Sequence, residues 1–126
     1  MSGLRILLVE DEILIAEDAR IRLEGMGHQV IGTAASGRDA VQQALELHPD
    51  LILMDVRLQG AMNGVEAARR IRSEADIPII YLTAHASVLA SLKDSDGSTC
   101  LAKPFSPLQL QAAIQAVLGR TEHPAH

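Results

Sequence analysis

Aromatic side chains are almost absent from this chain, which holds one Tyr, one Phe and no Trp among 126 residues. Stacked rings therefore cannot build its core, and with 48% of the residues hydrophobic the work falls to Leu, Ile, Val and Ala. Such a composition suits helices packed on a buried parallel sheet. Cysteine occurs once, at Cys100, which excludes an internal disulfide. No apolar run approaches the ~20 residues needed to cross a bilayer, and no signal-peptide-like apolar region precedes Leu4. Positive charge is scarce too: 11 Lys and Arg stand against 16 Asp and Glu, a formal net charge of −5. Duplex affinity comes mainly from neutralising phosphates, so a nucleic-acid surface is not expected, whereas a cation site is easier to accommodate. The length suits one domain around one core, and no repeat, low-complexity tract or Pro/Gly/Ser-rich linker divides it. The expectation is a single cytoplasmic domain over residues 1–126, with its core at about 4–118 and a short tail at 119–126.

Short apolar runs alternate with longer amphipathic stretches, the pattern of β/α units. Leu4 to Val9 reads as a strand leading into Glu10-Asp11-Glu12. A helix follows on which Ala16, Ala19, Leu23 and Met26 recur at helical steps, with Gly25 and Gly27 marking its end. Gln29 to Ala34 is a second, weaker strand. Ser36 followed by Asp39 resembles a capping box and opens a helix with Val41, Ala44 and Leu45 facing inward, stopped by Pro49. Leu51-Ile52-Leu53-Met54, ending in Asp55, is a continuous apolar run and reads as a central strand covered on both faces. After a loop holding Gly60, Asn63 and Gly64, a helix is expected from about Val65 to Arg72 with Val65, Ala68 and Ile71 inward. Pro78 to Leu82 forms the fourth strand, ending at Thr83, and Cys100 to Ala102 the fifth, ending at Lys103-Pro104. Ser106-Pro107 looks like a cap and first turn for a last helix buried along Leu110, Ile114, Val117 and Leu118. Five strands alternating with five helical stretches predict an α/β doubly wound fold. Right-handed crossovers restrict its topology. A flavodoxin-like five-stranded parallel sheet in the order 2-1-3-4-5, with five helices, is among those that remain.

Glu10, Asp11, Asp55, Thr83 and Lys103 each fall at or just past the carboxyl end of an apolar strand, the edge at which such sheets bind ligands. Carboxylates gathered there repel by roughly 4 kcal/mol per pair at ~4 Å in an effective dielectric near 20. A hard divalent cation with oxygen ligands would offset that, and Mg²⁺ suits a site completed by waters and a phosphoryl oxygen. Lys103 adds an ammonium that can pair with a carboxylate or a phosphoryl oxygen, and Thr83 a hydroxyl that can donate to an anion. Together these groups match phosphoryl transfer to an aspartate. Singly, each has an ordinary structural reading. An acidic pair suits the first turn of a helix, a Thr is more often a cap, and a Lys is more often a solvated surface group. An Asp ending a strand could be a Walker B carboxylate, but no G-x-x-x-x-G-K-[ST] sequence accompanies it. Their joint placement after four different strands is what the ordinary readings leave unexplained.

Four segments, Ile6-Leu7-Leu8-Val9-Glu10-Asp11-Glu12, Leu51-Ile52-Leu53-Met54-Asp55, Tyr81-Leu82-Thr83-Ala84 and Ala102-Lys103-Pro104-Phe105, resemble the receiver domains of two-component response regulators, in the family's order and over nearly the whole chain. The resemblance implies a phosphorylation-dependent switch that takes a phosphoryl group from a histidine kinase or phosphotransfer protein onto Asp55, with Mg²⁺ as cofactor. It implies Asp11, Asp55 and the backbone carbonyl of Arg57 as metal ligands, and Glu10 as an acidic partner acting mainly through metal-bound water. Thr83 resembles the hydroxyl that swings toward the phosphoryl group, and Lys103 the salt-bridging lysine. Also implied are slow self-dephosphorylation in place of metabolic turnover, a downstream protein target, no direct nucleic-acid or membrane partner, and a monomer or phosphorylation-dependent homodimer. No output domain is expected after the last helix, so the chain is either a stand-alone regulator or a piece of a longer protein. Cys100 stands three residues before the lysine, where many receivers carry a Tyr or Phe. The loop from Val56 to Gly64 is longer than in many receivers, and the segment between Thr83 and Cys100 is shorter; that segment is expected to be the least rigid. Arg57 and His85 are expected to shield the acyl phosphate. Two other readings stand beside this one. A haloacid-dehalogenase-type phosphatase would want a second Asp where Arg57 stands. A phosphorylation-independent receiver-like binding module would not need the intact Thr, Lys and acidic set.

Overall fold

The structure, a computed structural model, describes residues 3–58, 60, 62–83, 99–103 and 105–122. Its elements follow in the order β1 (Arg5–Val9), α1 (Ile13–Gly25), β2 (Gln29–Ala34), α2 (Gly37–Leu47), β3 (Leu51–Asp55), α3 (Gly64–Arg72), β4 (Ile79–Thr83), β5 (Thr99–Ala102) and α4 (Pro107–Glu122). All strand pairs are parallel and the sheet order is β2-β1-β3-β4-β5, the flavodoxin-like arrangement expected. Four of the five expected helices lie among the described residues. The fifth, with His85 and the rest of the segment between Thr83 and Thr99, lies outside them.

Alternation along the strands sorts side chains onto two faces. Leu7, Val9, Ile52, Met54, Ile79 and Tyr81 pack under α2 and α3, while Ile6, Leu8, Leu51, Leu53, Ile80 and Leu82 pack under α1 and α4. Every residue of β3 and of β4 is buried, as continuous apolar runs demand of strands covered on both sides. The helix faces against the first core are small: Ala40, Ala44, Ala67 and Ala68 are fully buried there, with Ile71 beside them. Val41 and Val65 sit at its margin. Leu45, expected inward, is only half-buried, because at 100° per residue it points further from the axis of contact than Ala40 and Ala44. On α1, Ala19 and Leu23 are buried, with Ala16 and Met26 half-buried against the same core. Full burial of a side chain such as Leu23 is worth about 1.5–3 kcal/mol. The same helix also turns Ile13, Leu14 and Ile21 outward.

Side-chain capping explains where α2, α3 and α4 start, whereas Glu12 before α1 makes no such bond. Ser36 accepts from the Asp39 N–H at 3.1 Å. Asn63 and Glu66 form a reciprocal capping box at 2.9 and 3.0 Å. Ser106 and Gln109 do the same at 2.8 and 3.1 Å. α2 ends at His48, which adopts the left-handed conformation with φ 48°, and the Arg5 guanidinium donates to the carbonyls of His48 and Leu47 at 2.9 and 3.0 Å. The last helix runs three residues past Gly119, to Glu122, which corrects the expected tail. A single helical glycine costs about 1 kcal/mol relative to Ala, too little to stop a helix already docked along Leu110, Ile114 and Val117. Among the described residues no helix is long and apolar enough to cross a membrane.

Candidate functional site

The apolar runs of β1, β3, β4 and β5 all end at one edge of the sheet, so the polar residues following them converge there. Backbone bonds carry the ladder just past the strand ends: Glu10 N–H donates to Ala34 at 2.9 Å, Val56 to Leu82 at 3.0 Å and Lys103 to Thr83 at 2.8 Å. The period of two then aims the side chains. Asp55 shares the row of Leu51 and Leu53, Glu10 follows Ile6 and Leu8, and Lys103 follows Leu101. These three side chains do meet. The Lys103 ammonium donates to Asp55 Oδ2 at 2.9 Å and to Glu10 Oε1 at 3.1 Å. Asp55 and Glu10 are buried, Lys103 half-buried.

Each carboxylate is also held by a nearby backbone N–H: Arg57 donates to Asp55 Oδ1 at 3.0 Å and Glu12 to Glu10 Oε2 at 3.2 Å. Oxygen atoms of Glu10, half-buried Asp11 and Asp55 lie within 4.8 Å of one another. Burial, followed by the hydrogen bond and charge of Asp55, pushes the Glu10 carboxyl up to about 7, against the lowering pull of Lys103 and the Glu12 amide. Burial pulls the Lys103 ammonium down, but the bonds and charges of Asp55 and Glu10 outweigh it and raise it above its ordinary value. One ammonium thus leaves the acidic group incompletely neutralised. The donor set is all hard oxygen, which fits a divalent cation such as Mg²⁺ and no soft metal.

Of the residues singled out in the sequence, Glu10, Asp11, Asp55 and Lys103 come together as expected. Thr83 is buried at the end of β4, one residue beyond the Asp55–Leu82 register pair. The Arg57 side chain is exposed, so what this residue brings to Asp55 directly is its amide. The sequence reading missed that amide, and the Glu12 amide as well. For the Arg57 amide the signal was available, since an Asp side chain commonly accepts from the backbone two residues on; the longer Glu10 gives no such signal.

Comparison with known proteins places this edge in context. The family model for the response regulator receiver domain matches residues 6–115. The chain belongs to the receiver domain family of two-component response regulators. This receiver is 38% identical over 122 residues to the probable transcriptional regulator ycf27 of Cyanophora paradoxa, covering 95% of this chain and 50% of that protein. Its fold matches the anti-anti-sigma factor PhyR of Bartonella quintana with a TM-score of 0.86 at 32% identity, over 98% of this chain and 50% of that one. It matches the signal receiver domain of a modulated diguanylate cyclase from Desulfovibrio desulfuricans G20 with a TM-score of 0.86 at 33% identity, over 97% of this chain and 98% of that one. The receiver spans about half the length of the curated relatives it matches.

Proposed function

We propose that this receiver is a phosphorylation switch in which an Asp55 carboxylate oxygen takes the phosphoryl group from a phosphohistidine of a kinase or phosphotransfer protein. The observation that carries the reading is the Lys103 ammonium bridging Asp55 and Glu10 inside an edge rich in hard oxygens, in a chain of this family. The new bond joins an Asp55 oxygen to phosphorus; the phosphorus–nitrogen bond of the donor breaks, and its electron pair returns to the imidazole ring. Glu10, Asp11, Asp55 and the Arg57 carbonyl would hold Mg²⁺, which when bound neutralises charge on the phosphoryl oxygens. The chain's own groups position and discharge. The Arg57 amide fixes one oxygen of Asp55 and Lys103 the other, and Lys103 can follow the negative charge onto the phosphoryl group. The Thr83 hydroxyl donates to a phosphoryl oxygen, coupling β4 to the modification. Water later attacks the acyl phosphate and ends the signal; no metabolite is turned over.

A protein donor is supported by apolar surface beside the site. Ile13 and Leu14, 83% and 85% exposed, follow directly on the acidic run, and a groove of about 410 Å³ lined by Ile15, Ala19, Leu82 and Phe105 reaches Lys103 and Glu10. Exposed apolar side chains next to a groove that opens on the site favour a protein surface docking there. The regulated target is a protein reached by the changed surface in the cytoplasm, in the manner that the name anti-anti-sigma factor suggests for PhyR. The test is intact-mass measurement after incubation with acetyl phosphate and Mg²⁺. The parent should gain one phosphoryl group, Asp55→Asn none, and the parent with EDTA none. An adduct of unchanged yield in Asp55→Asn would overturn the assignment.

A further inference from the structure

Two helices of this receiver begin alike, with a capping residue followed by glycine: Ser36-Gly37 opens α2 and Asn63-Gly64 opens α3. Both glycines are buried, and neither has a positive φ, so backbone freedom does not account for them. Space does. A Cβ on Gly64 would stand 2.1 Å from the carbonyl oxygen of Asp55 and 3.0 Å from Val56 Cα. A Cβ on Gly37 would stand 2.6 Å from the carbonyl oxygen of Met62 and 3.0 Å from its Cγ. The first turn of α3 therefore lies directly on the backbone of Asp55, and the first turn of α2 lies directly on the residue preceding the α3 cap.

These contacts join into one chain. Gly37 bears on Met62; Asn63 is locked by its box with Glu66; Gly64 bears on Asp55 and donates to the Val56 carbonyl at 3.0 Å. From the other side, the Leu82 carbonyl holds the Val56 amide at 3.0 Å. The peptides clamped between β4 and Gly64 lead straight into Arg57, whose amide binds Asp55 Oδ1. Close-packed interiors transmit small displacements rather than absorb them.

We propose that Gly37, though remote in sequence from every acidic ligand, is a positioning residue for the metal-binding edge. With only hydrogen on its Cα it lets Met62 seat against α2, and that seat sets how the loop from Asp55 returns and how Asp55 and Arg57 are oriented. The inference rests on the metal-dependent reading of Asp55 above. A glycine needed only for packing would behave differently: its replacement would lower stability and leave the Mg²⁺ affinity of the folded protein as it was.

The experiment compares the parent, Gly37→Ala, Met62→Ala and, as a control, Gly25→Ala, whose added Cβ meets nothing within 4 Å. Mg²⁺ alone is the probe for a dissociation constant, and amide hydrogen exchange is followed in the metal-free protein. Gly37→Ala should raise the Mg²⁺ dissociation constant roughly tenfold, the lower end of what loss of an outer supporting contact costs a metal site. Exchange at the Arg57 and Gly64 amides should quicken while α1 and α4 keep parental protection. Met62→Ala, which loosens the seat instead of crowding it, should move both quantities in the same direction. Gly25→Ala should move neither. A folded Gly37→Ala protein with parental affinity and parental exchange at Arg57 overturns the inference. Should that variant not fold, parental values in Met62→Ala overturn it instead. If the parent does not bind Mg²⁺, the reading of the site fails, and the exchange rates alone then decide the positioning claim.

Discussion

His48 and His28 are single residues at which the backbone and the solvent make opposing demands. His48 closes α2 with φ 48°, a conformation in which a side chain crowds the following carbonyl and which glycine adopts freely. His48→Gly keeps the carbonyl that accepts from Arg5 and removes the crowding, so it should stabilise the fold by about 0.5–1 kcal/mol, net of the greater freedom glycine gives the unfolded chain. A higher urea midpoint with unchanged slope is the expected result. His28 uses its neutral form: Nδ1 accepts the Leu4 N–H at 3.1 Å, and burial holds the imidazole below its ordinary value. A proton on the ring enters the unfolded chain more readily than the folded one. The stability linked to this residue is therefore fully present above the unfolded value, near 6.5, and is lost as pH falls through the lower folded one. Urea midpoints at pH 7.5 and 5.5 should fall further for the parent than for His28→Gln. Equal falls would show that the imidazole titrates alike in both states.

At the scale of elements, α2 and α3 approach the sheet through alanines. Ala40, Ala44, Ala67 and Ala68 have no exposed surface, so helix backbones lie close to the strands and little room remains. Ala44→Leu should lower stability by about 1–3 kcal/mol through overpacking, read as a lower thermal midpoint. A midpoint at or above the parent's would reveal slack between α2 and the sheet. Such faces are hard to read from sequence, because alanine carries a weak hydrophobic signal and Val41 and Leu45 draw the eye to neighbouring angles. The ends of elements were legible in part. Ser36 and Ser106 announced their caps, yet the reciprocal partners Glu66 and Gln109 went unread, since a polar residue three places into a helix is common without any box. The inner face of α1 was legible through Ala16, Ala19, Leu23 and Met26, whereas its outward apolar residues were not. Ile13, Leu14 and Ile21 face outward while Ala19 and Leu23 face in, so apolar residues surround the axis and periodicity alone does not announce the exposed ones.

For the molecule as a whole, the strands and the edge that gathers Glu10, Asp55 and Lys103 could be read because β1, β3 and β4 are uninterrupted apolar runs with their polar residues just at the ends. What could not be read is how residues distant in sequence press on that edge: nothing in the run Ser36-Gly37 points to Met62. The strand order has a further consequence, for synthesis. β2 can pair with β1 as soon as it emerges; β3 then adds to the other side of β1, β4 to β3, and β5 to β4. No strand has to insert between two that are already paired, so a chain leaving the ribosome can extend its sheet one edge at a time. The counter-charge arrives late in that sequence. Glu10 and Asp55 precede Lys103 by 93 and 48 residues, so a nascent chain that has already joined β1 to β3 holds its buried acids together before their ammonium has been made.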